Sequence, residues 1–160
     1  MFNGLLLNFS VYIDGYNYIG KVVKATLPKV TAKMVEHYGV GMSAPIDIDT
    51  GQVEKMEASI EIDGVQEDIY KSIGSSTTPI LLRGKIRNKK GSDVVLVAEI
   101  RGYISEIDHG DIEPSTKGKT NIKMAVNYYR ISIDGEEVVE IDALNGIRKI
   151  FNKNQLASIL

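Results

Sequence analysis

The chain has 160 residues, 43% of them hydrophobic and 25% charged, enough for one compact domain with its own core and too apolar for a disordered segment. With 19 basic against 21 acidic side chains the formal net charge is -2, so no global positive field exists to hold nucleic acid or an anionic membrane. There is no cysteine, which removes disulfides, thiolate metal sites and cysteine nucleophiles together and fits a reducing cytoplasm. Residues 1–7 are apolar but lack a basic flank and a small-residue cleavage site, so no signal peptide is expected. No apolar run approaches the ~20 residues of a membrane-spanning helix, and the expectation is a soluble protein.

Residues 9–14 alternate, with Phe9, Val11 and Ile13 on one face and Ser10, Tyr12 and Asp14 on the other, the period of a half-buried strand. Asp14-Gly15 supplies a hairpin turn, and residues 16–26 are expected to resume extended structure beside it. Over residues 27–45 the alternation fades. Gly39, Gly41, Pro28 and Pro45 interrupt regular structure, while Met34, Val35, Tyr38, Val40 and Met42 keep the stretch apolar. Such a segment either packs on a neighbouring copy or folds back on its own core.

Residues 53–63 carry the cleanest alternation, placing Met56, Ala58, Ile60 and Ile62 inward and Lys55, Glu57, Ser59 and Glu61 outward. Val65, Ile69 and Ile73 then predict a short amphipathic α-helix ending at Gly74. Residues 80–88 and 94–107 read as a second hairpin about a turn at residues 89–93. Beyond a polar loop, Ile122, Met124 and Val126 alternate until Tyr129 and Ile131 change phase, which predicts a β-bulge. Asp134-Gly135 turns the chain into residues 138–142, and residues 143–160 are expected to form one or two helical turns.

The chemistry of a catalyst is hard to assemble from these residues. His37 and His109 lie far apart, and Asp108-His109-Gly110-Asp111 reads as a solvated turn before it reads as a metal site. Gly39-Val40-Gly41 lacks the remainder of a nucleotide fingerprint. Glu57 and Glu61, four apart on a strand, stand too far apart for a retaining glycosidase pair. Arg83, Lys85 and Arg87 alternate and are expected either to pair with that acidic strand face or to form a small basic patch, with cross-strand or cross-subunit charge complementarity the more economical reading. The chain is expected to have no catalytic residues, no cofactor and no metal, and to act as a binding or self-assembling domain.

Four blocks are more specific than their pattern: residues 12–20 (YIDGYNYIG), 26–34 (TLPKVTAKM), 39–45 (GVGMSAP), and Tyr128-Tyr129-Arg130 leading into residues 134–142 (DGEEVVEID). In this order, across nearly the whole chain, they resemble the major tail tube protein of contractile-tailed bacteriophages. The resemblance implies a mostly β fold, a β-sandwich or partly closed barrel of antiparallel strands, with one short flanking α-helix and a long inter-subunit arm loop over residues 27–45, in a single domain of residues 1–160.

It further implies a structural subunit whose hexameric rings stack into a tube with a channel for DNA passage. Partners would be further copies of itself, the tail sheath, baseplate and terminator proteins, and DNA passing through the lumen without sequence-specific binding, with no stable membrane association. The setting would be the virion tail, assembled in the host cytoplasm. Candidate subunit or ring contacts are then Leu27, Pro28, Lys29, Met34, Tyr38, Gly41, Met42 and Pro45. Candidate lumen residues are Glu57, Ser59 and Glu61. The nearest other readings are a tube subunit of a phage-derived bacteriocin or other contractile injection particle, and a monomeric β-barrel ligand-binding module, the latter short of stacking aromatics because the chain has no tryptophan.

Overall fold

The computed structural model describes residues 4–13, 16–17, 22–65, 67–74, 78–88 and 90–156. A long hairpin forms its spine. In chain order the strands are β1 (Gly4–Ile13), β2 (Tyr16–Asn17), β3 (Val22–Thr26), β4 (Ala32–His37), β5 (Ile46–Val53), β6 (Met56–Asp63), β7 (Thr78–Asn88), β8 (Asp93–Asp108), β9 (Lys119–Ile133), β10 (Glu136–Asp142), β11 (Ile147–Ile150) and β12 (Lys153–Asn154). β8 and β9 are the spine, antiparallel from Leu96↔Ile133 to Asp108↔Asn121. A strand as long as β8 would reach about 50 Å at ~3.3 Å per residue, too far to pack flat on one small core.

Two extra residues bend the spine. Asn127 lies between the pairs Arg101↔Tyr128 and Gly102↔Val126, and Ser105 between Ile104↔Met124 and Glu106↔Lys123. The Asn127 bulge is the expected change of phase: Ile122, Met124 and Val126 are buried before it and Tyr129 after it. Burial in the core also pushes the Tyr129 phenol up to about 12.

The bend divides the outer edge of β9 between two neighbours. Residues 119–126 pair with β6, which pairs in turn with β3, whereas residues 128–133 pair with β10, followed by β11 and β12. On the other side of the spine, β8 pairs through Gly102 with β7, then β1 and β2. A larger sheet (β12-β11-β10-β9-β8-β7-β1-β2) and a four-stranded one (β3-β6-β9-β8) thus share two strands and curl into a partly closed antiparallel sandwich. Val11, Ile13, Ile60, Ile62, Ile80, Ile100, Ile122 and Met124 meet between them in one core. Each such side chain contributes about 1.5–3 kcal/mol.

Several expectations are confirmed in detail. β6 buries Met56, Ala58, Ile60 and Ile62; β7 and β8 form the second hairpin; Asp134 (φ 53°) and Gly135 (φ 84°) make a left-handed two-residue turn into β10. The α-helix expected over residues 65–73 is instead a shorter 3₁₀ helix, Glu67–Ser72. Ile69 within it is buried, while Val65 and Ile73 lie beyond its ends and stay exposed.

Four further expectations are corrected. After the two residues of β2 the chain leaves β1, and β3 pairs with β6 instead; the Asp14-Gly15 turn lies outside the described residues. Residues 27–45 are not irregular throughout, because β4 pairs with β5 as a separate two-stranded sheet. Both faces of that hairpin are largely in solvent, so no burial contrast imposed an alternation on its sequence. Residues 147–150 and 153–154 are strands, not helical turns: the Asp142 carboxylate accepts from the backbone N–H groups of Leu144 and Asn145, fixing the turn into β11. Phe151 and Asn152, both at left-handed φ, then turn the chain into β12. Finally, β7 lies across the sandwich from β6, so its basic residues do not meet Glu57 and Glu61. Lys85 and Arg87 pair with Asp93 of β8, at 3.6 and 3.1 Å, and Arg87 holds that carboxyl below its usual range.

Gly102 sits at the bend, where a Cβ would lie 1.9 Å from the Ala125 carbonyl oxygen. Backbone cannot yield as a side-chain tip can. Gly102→Ala is expected to lower unfolding free energy by about 2–4 kcal/mol in urea titrations; unchanged stability would mean that β8 and β9 do not approach this closely in solution.

Candidate assembly interface

Among the described residues no group of three or more potential metal ligands gathers. His109 is taken up by its neighbours: its Nε2 lies 2.7 Å from the Tyr70 hydroxyl and its Nδ1 3.3 Å from Thr120 Oγ1. Because Thr120 Oγ1 donates to the Gly64 carbonyl at 2.8 Å, its oxygen is left to accept from Nδ1–H, and Nε2 accepts from Tyr70. This junction ties the 3₁₀ helix to the end of the spine. His37 is exposed on β4.

The β4/β5 arm is the most conspicuous exposed feature. Val35 pairs with Ile48 and His37 with Ile46 on one face of the arm, and Met34 with Asp49 and Glu36 with Asp47 on the other. Val35, Ile46 and Ile48 are each about half exposed, Tyr38 is 65% exposed and Val40 at the tip is fully so, more apolar surface than an isolated hairpin usually shows to water.

The residues expected as contacts fall into two groups. Leu27 packs against the core and Pro28 is buried, so these two anchor the base of the arm and do not project from it. Lys29, Met34, Tyr38, Gly41 and Pro45 are exposed along the arm, while Met42 is half buried, its Sδ accepting from the Gly39 N–H at 3.1 Å. Gly41 occupies a left-handed φ of 89° in the tip turn.

Sequence reasoning missed the arm's attachment. Arg148 of β11 donates from both terminal nitrogens to Asp49, at 3.0 and 2.9 Å, a bidentate bridge between residues 99 positions apart. The same Asp49 carboxylate accepts from the Gly51 N–H at 2.9 Å, where a left-handed Gly51 (φ 81°) shifts the register of β5 against β4. Asp49-Thr50-Gly51 is a legible turn signal, but no pattern along the chain points to Arg148. The Arg148 hydrogen bond first, and then that from Gly51, lower the Asp49 pKa from 3.8 to about 2.

The four-stranded sheet shows a polar outer face. Glu57 is exposed and Ser59 and Glu61 are half buried, in register with Ala125, Lys123 and Asn121 of β9. Lys24, Glu106 and Asp108 complete a shallow depression of about 260 Å³ around Ser59 and Glu61, and Lys123 pairs with Glu106 at 3.5 Å. Among the described residues no further strand covers either flank of this sheet: β3 pairs only with β6, and β8, past a single bridge of Ile104 to Ile73, pairs from Ser105 to Asp108 only with β9.

The larger sheet carries instead a row of alternating charges, Glu99, Arg130, Glu140 and Lys149, opposite one another across β8, β9, β10 and β11. Tyr128 donates to Glu140 at 3.1 Å, and Arg101, bonded to Glu99, stacks 4.7 Å over the Tyr128 ring.

Residues 4–159 match the family described as phage tail tube protein FII. The tail tube protein of Escherichia phage P2 is 32% identical over 153 residues, covering 92% of this chain and 89% of that protein. The major tail tube protein of Serratia phage KSP20 is 35% identical over 148 residues, covering 91% and 86%. Among solved structures, the sheath-tube complex of the extracellular contractile injection system PVC contains a chain of similar fold (TM-score 0.58, 11% identity, 78% of this chain and 88% of that one). So does the sheath/tube terminator of the same system (TM-score 0.59, 12% identity, 80% and 95%).

A depressed folded pKa means that the Asp49 bridge contributes fully above the unfolded value of 3.8 and is lost as pH falls through about 2. Carboxyl NMR should show Asp49 titrating near 2, with arm amide protection steady above about pH 4 and falling below it; titration at an ordinary aspartate value would mean that the bridge is not formed in solution.

Proposed function

The chain belongs to the phage tail tube protein FII family, as a structural subunit of a phage tail tube, and from that premise we propose that its copies close into hexameric rings stacked as the inner tube of a contractile tail. The observation that carries this reading is the four-stranded sheet with two open flanks. β3 of one copy and the end of β8 of the next present complementary rows of backbone donors and acceptors. Joining them continues the sheet around a ring and removes both edges. Six copies of four strands, at ~4.8 Å between strands and a tilt of ~40°, make a barrel about 45–50 Å across at the backbone, wide enough for a nucleic-acid duplex.

The outer face of that sheet then lines the channel, with Glu57, Ser59 and Glu61 among its lumen residues. Charges balance on this face, where Glu57, Glu61, Glu106 and Asp108 stand against Lys24, Lys29, Lys55 and Lys123. Such a wall carries no net positive charge, and Lys55 and Lys123 are engaged by Glu57 and Glu106, which leaves little to arrest a passing phosphate backbone. The arm, through Met34, Tyr38, Gly41, Pro45 and the Val35/Ile48 face, contacts an adjacent subunit or ring, burying apolar surface that a lone copy leaves wet. The surrounding sheath, the baseplate and the terminator are the remaining partners, supported by the sheath-tube and terminator assemblies in which this fold occurs. Assembly takes place in the host cytoplasm, before the tail joins the virion.

A headless contractile injection particle is the second reading, favoured by the fold neighbours; the greater sequence identity to phage proteins favours a phage. Negative-stain microscopy of the purified chain at high concentration should show rings or hollow tubes. Val35→Asp combined with Ile48→Asp should leave the melting temperature within a few degrees and abolish tubes, because both positions are exposed in the single copy. Normal tubes from the double variant would remove the arm from the assembly contact.

A further inference from the structure

We propose that the Asp49–Arg148 ion pair is a positioning clamp that fixes which face of the arm is presented to a neighbouring copy. The inference rests on the tube-subunit reading and adds to it the residues that set the arm's orientation.

A two-stranded hairpin is marginal by itself, and neither β4 nor β5 joins the sheets of the body. At its root the arm is held by Leu27 and Val53 against the core and by the Glu54 N–H donating to the Thr31 carbonyl at 2.7 Å. Held there alone, it could rotate about its root.

Asp49 lies four residues further out along β5, and its partner Arg148 stands opposite Ile141 on the core side of the larger sheet, with its side chain only 14% exposed. Two parallel hydrogen bonds from a planar guanidinium restrain rotation as well as distance. The left-handed Gly51 and its hydrogen bond to Asp49 hold the carboxylate in place before the guanidinium meets it. Asp49 shares one face of the arm with Met34, Glu36 and Asp47, so the clamp ties the Asp49 end of that face to the body, while Val35, Ile46 and Ile48 lie on the opposite face. Without it, the apolar face is free to turn onto the chain's own surface, a state unable to contact a neighbour.

The test uses the full chain with Asp49→Asn, with Arg148→Gln, and with the exchange Asp49→Arg/Arg148→Asp. Hydrogen exchange of residues 32–53 in unassembled protein reads the clamp directly, melting temperature reads the body, and microscopy reads assembly. Each single variant should keep the body's melting temperature, speed arm exchange severalfold and reduce tube yield severalfold, with partial recovery of both in the exchanged pair. Wild-type arm exchange and tube yield in the single variants would overturn the proposal. So would loss of tubes with unchanged arm exchange, since the pair would then act elsewhere. Because exchange is read before assembly, a chain that never forms tubes would count against the tube reading while still deciding whether the clamp exists.

Discussion

The constraint on which the architecture depends is the close approach of β8 and β9 at Gly102. Strands this long cannot both remain flat and enclose a core, and the chain resolves the conflict by bending the pair where one strand has no side chain and the other carries an extra residue, Asn127. Everything else is hung from that bend. It decides that β9 serves β6 with its first half and β10 with its second, and therefore that there are two sheets with a core between them. It also ends the pairing of β7 at Gly102, which leaves the far end of β8 as an edge. The edge assigned to assembly in the proposed ring and the core thus arise from one backbone contact.

Much of this was legible because burial writes itself into sequence with a period. β6 could be read residue by residue, since its inward side chains are all apolar and its outward ones all polar. The bulge was legible for the same reason: a slip in the alternation between Val126 and Tyr129 is the trace an extra residue leaves. Where both faces of an element meet water, or neither is deeply buried, the trace disappears. β4, β5, β11 and β12 fall in that class: β4 read as irregular, β5 gave no reading, and Ile147 and Ile150, three apart, imitated a helix. The strand exchange after β2 was illegible for a different cause, because nothing local records which distant strand will accept β3.

The candidate interface divides in the same way. The arm announced itself as apolar residues among glycines and prolines, a composition unsuited to a lone surface loop, and most of its exposed residues were identifiable. Leu27 and Pro28 sit at the base of the arm in the single copy, since apolar character marks an inward anchor as readily as an exposed contact. Asp49 and Arg148 could not be paired from sequence at all. Their relation exists only once the C-terminal hairpin has been laid beside the arm by the rest of the fold.

The open flanks of the four-stranded sheet have a consequence for how such a protein can change over time. A contact between two strand edges is written in amide and carbonyl groups that every residue except proline supplies alike. In the proposed ring, side chains on β3 and on the end of β8 would therefore be largely released from specifying the lateral neighbour, and selection on them would follow what the channel must carry. The arm would enjoy no such freedom in the proposed assembly: its contact would be read through the shapes of particular side chains, so a change in one copy would require a matching surface in the next. Two axes of one assembly would then drift at different rates, the ring conserved through its backbone and the stack through its residues.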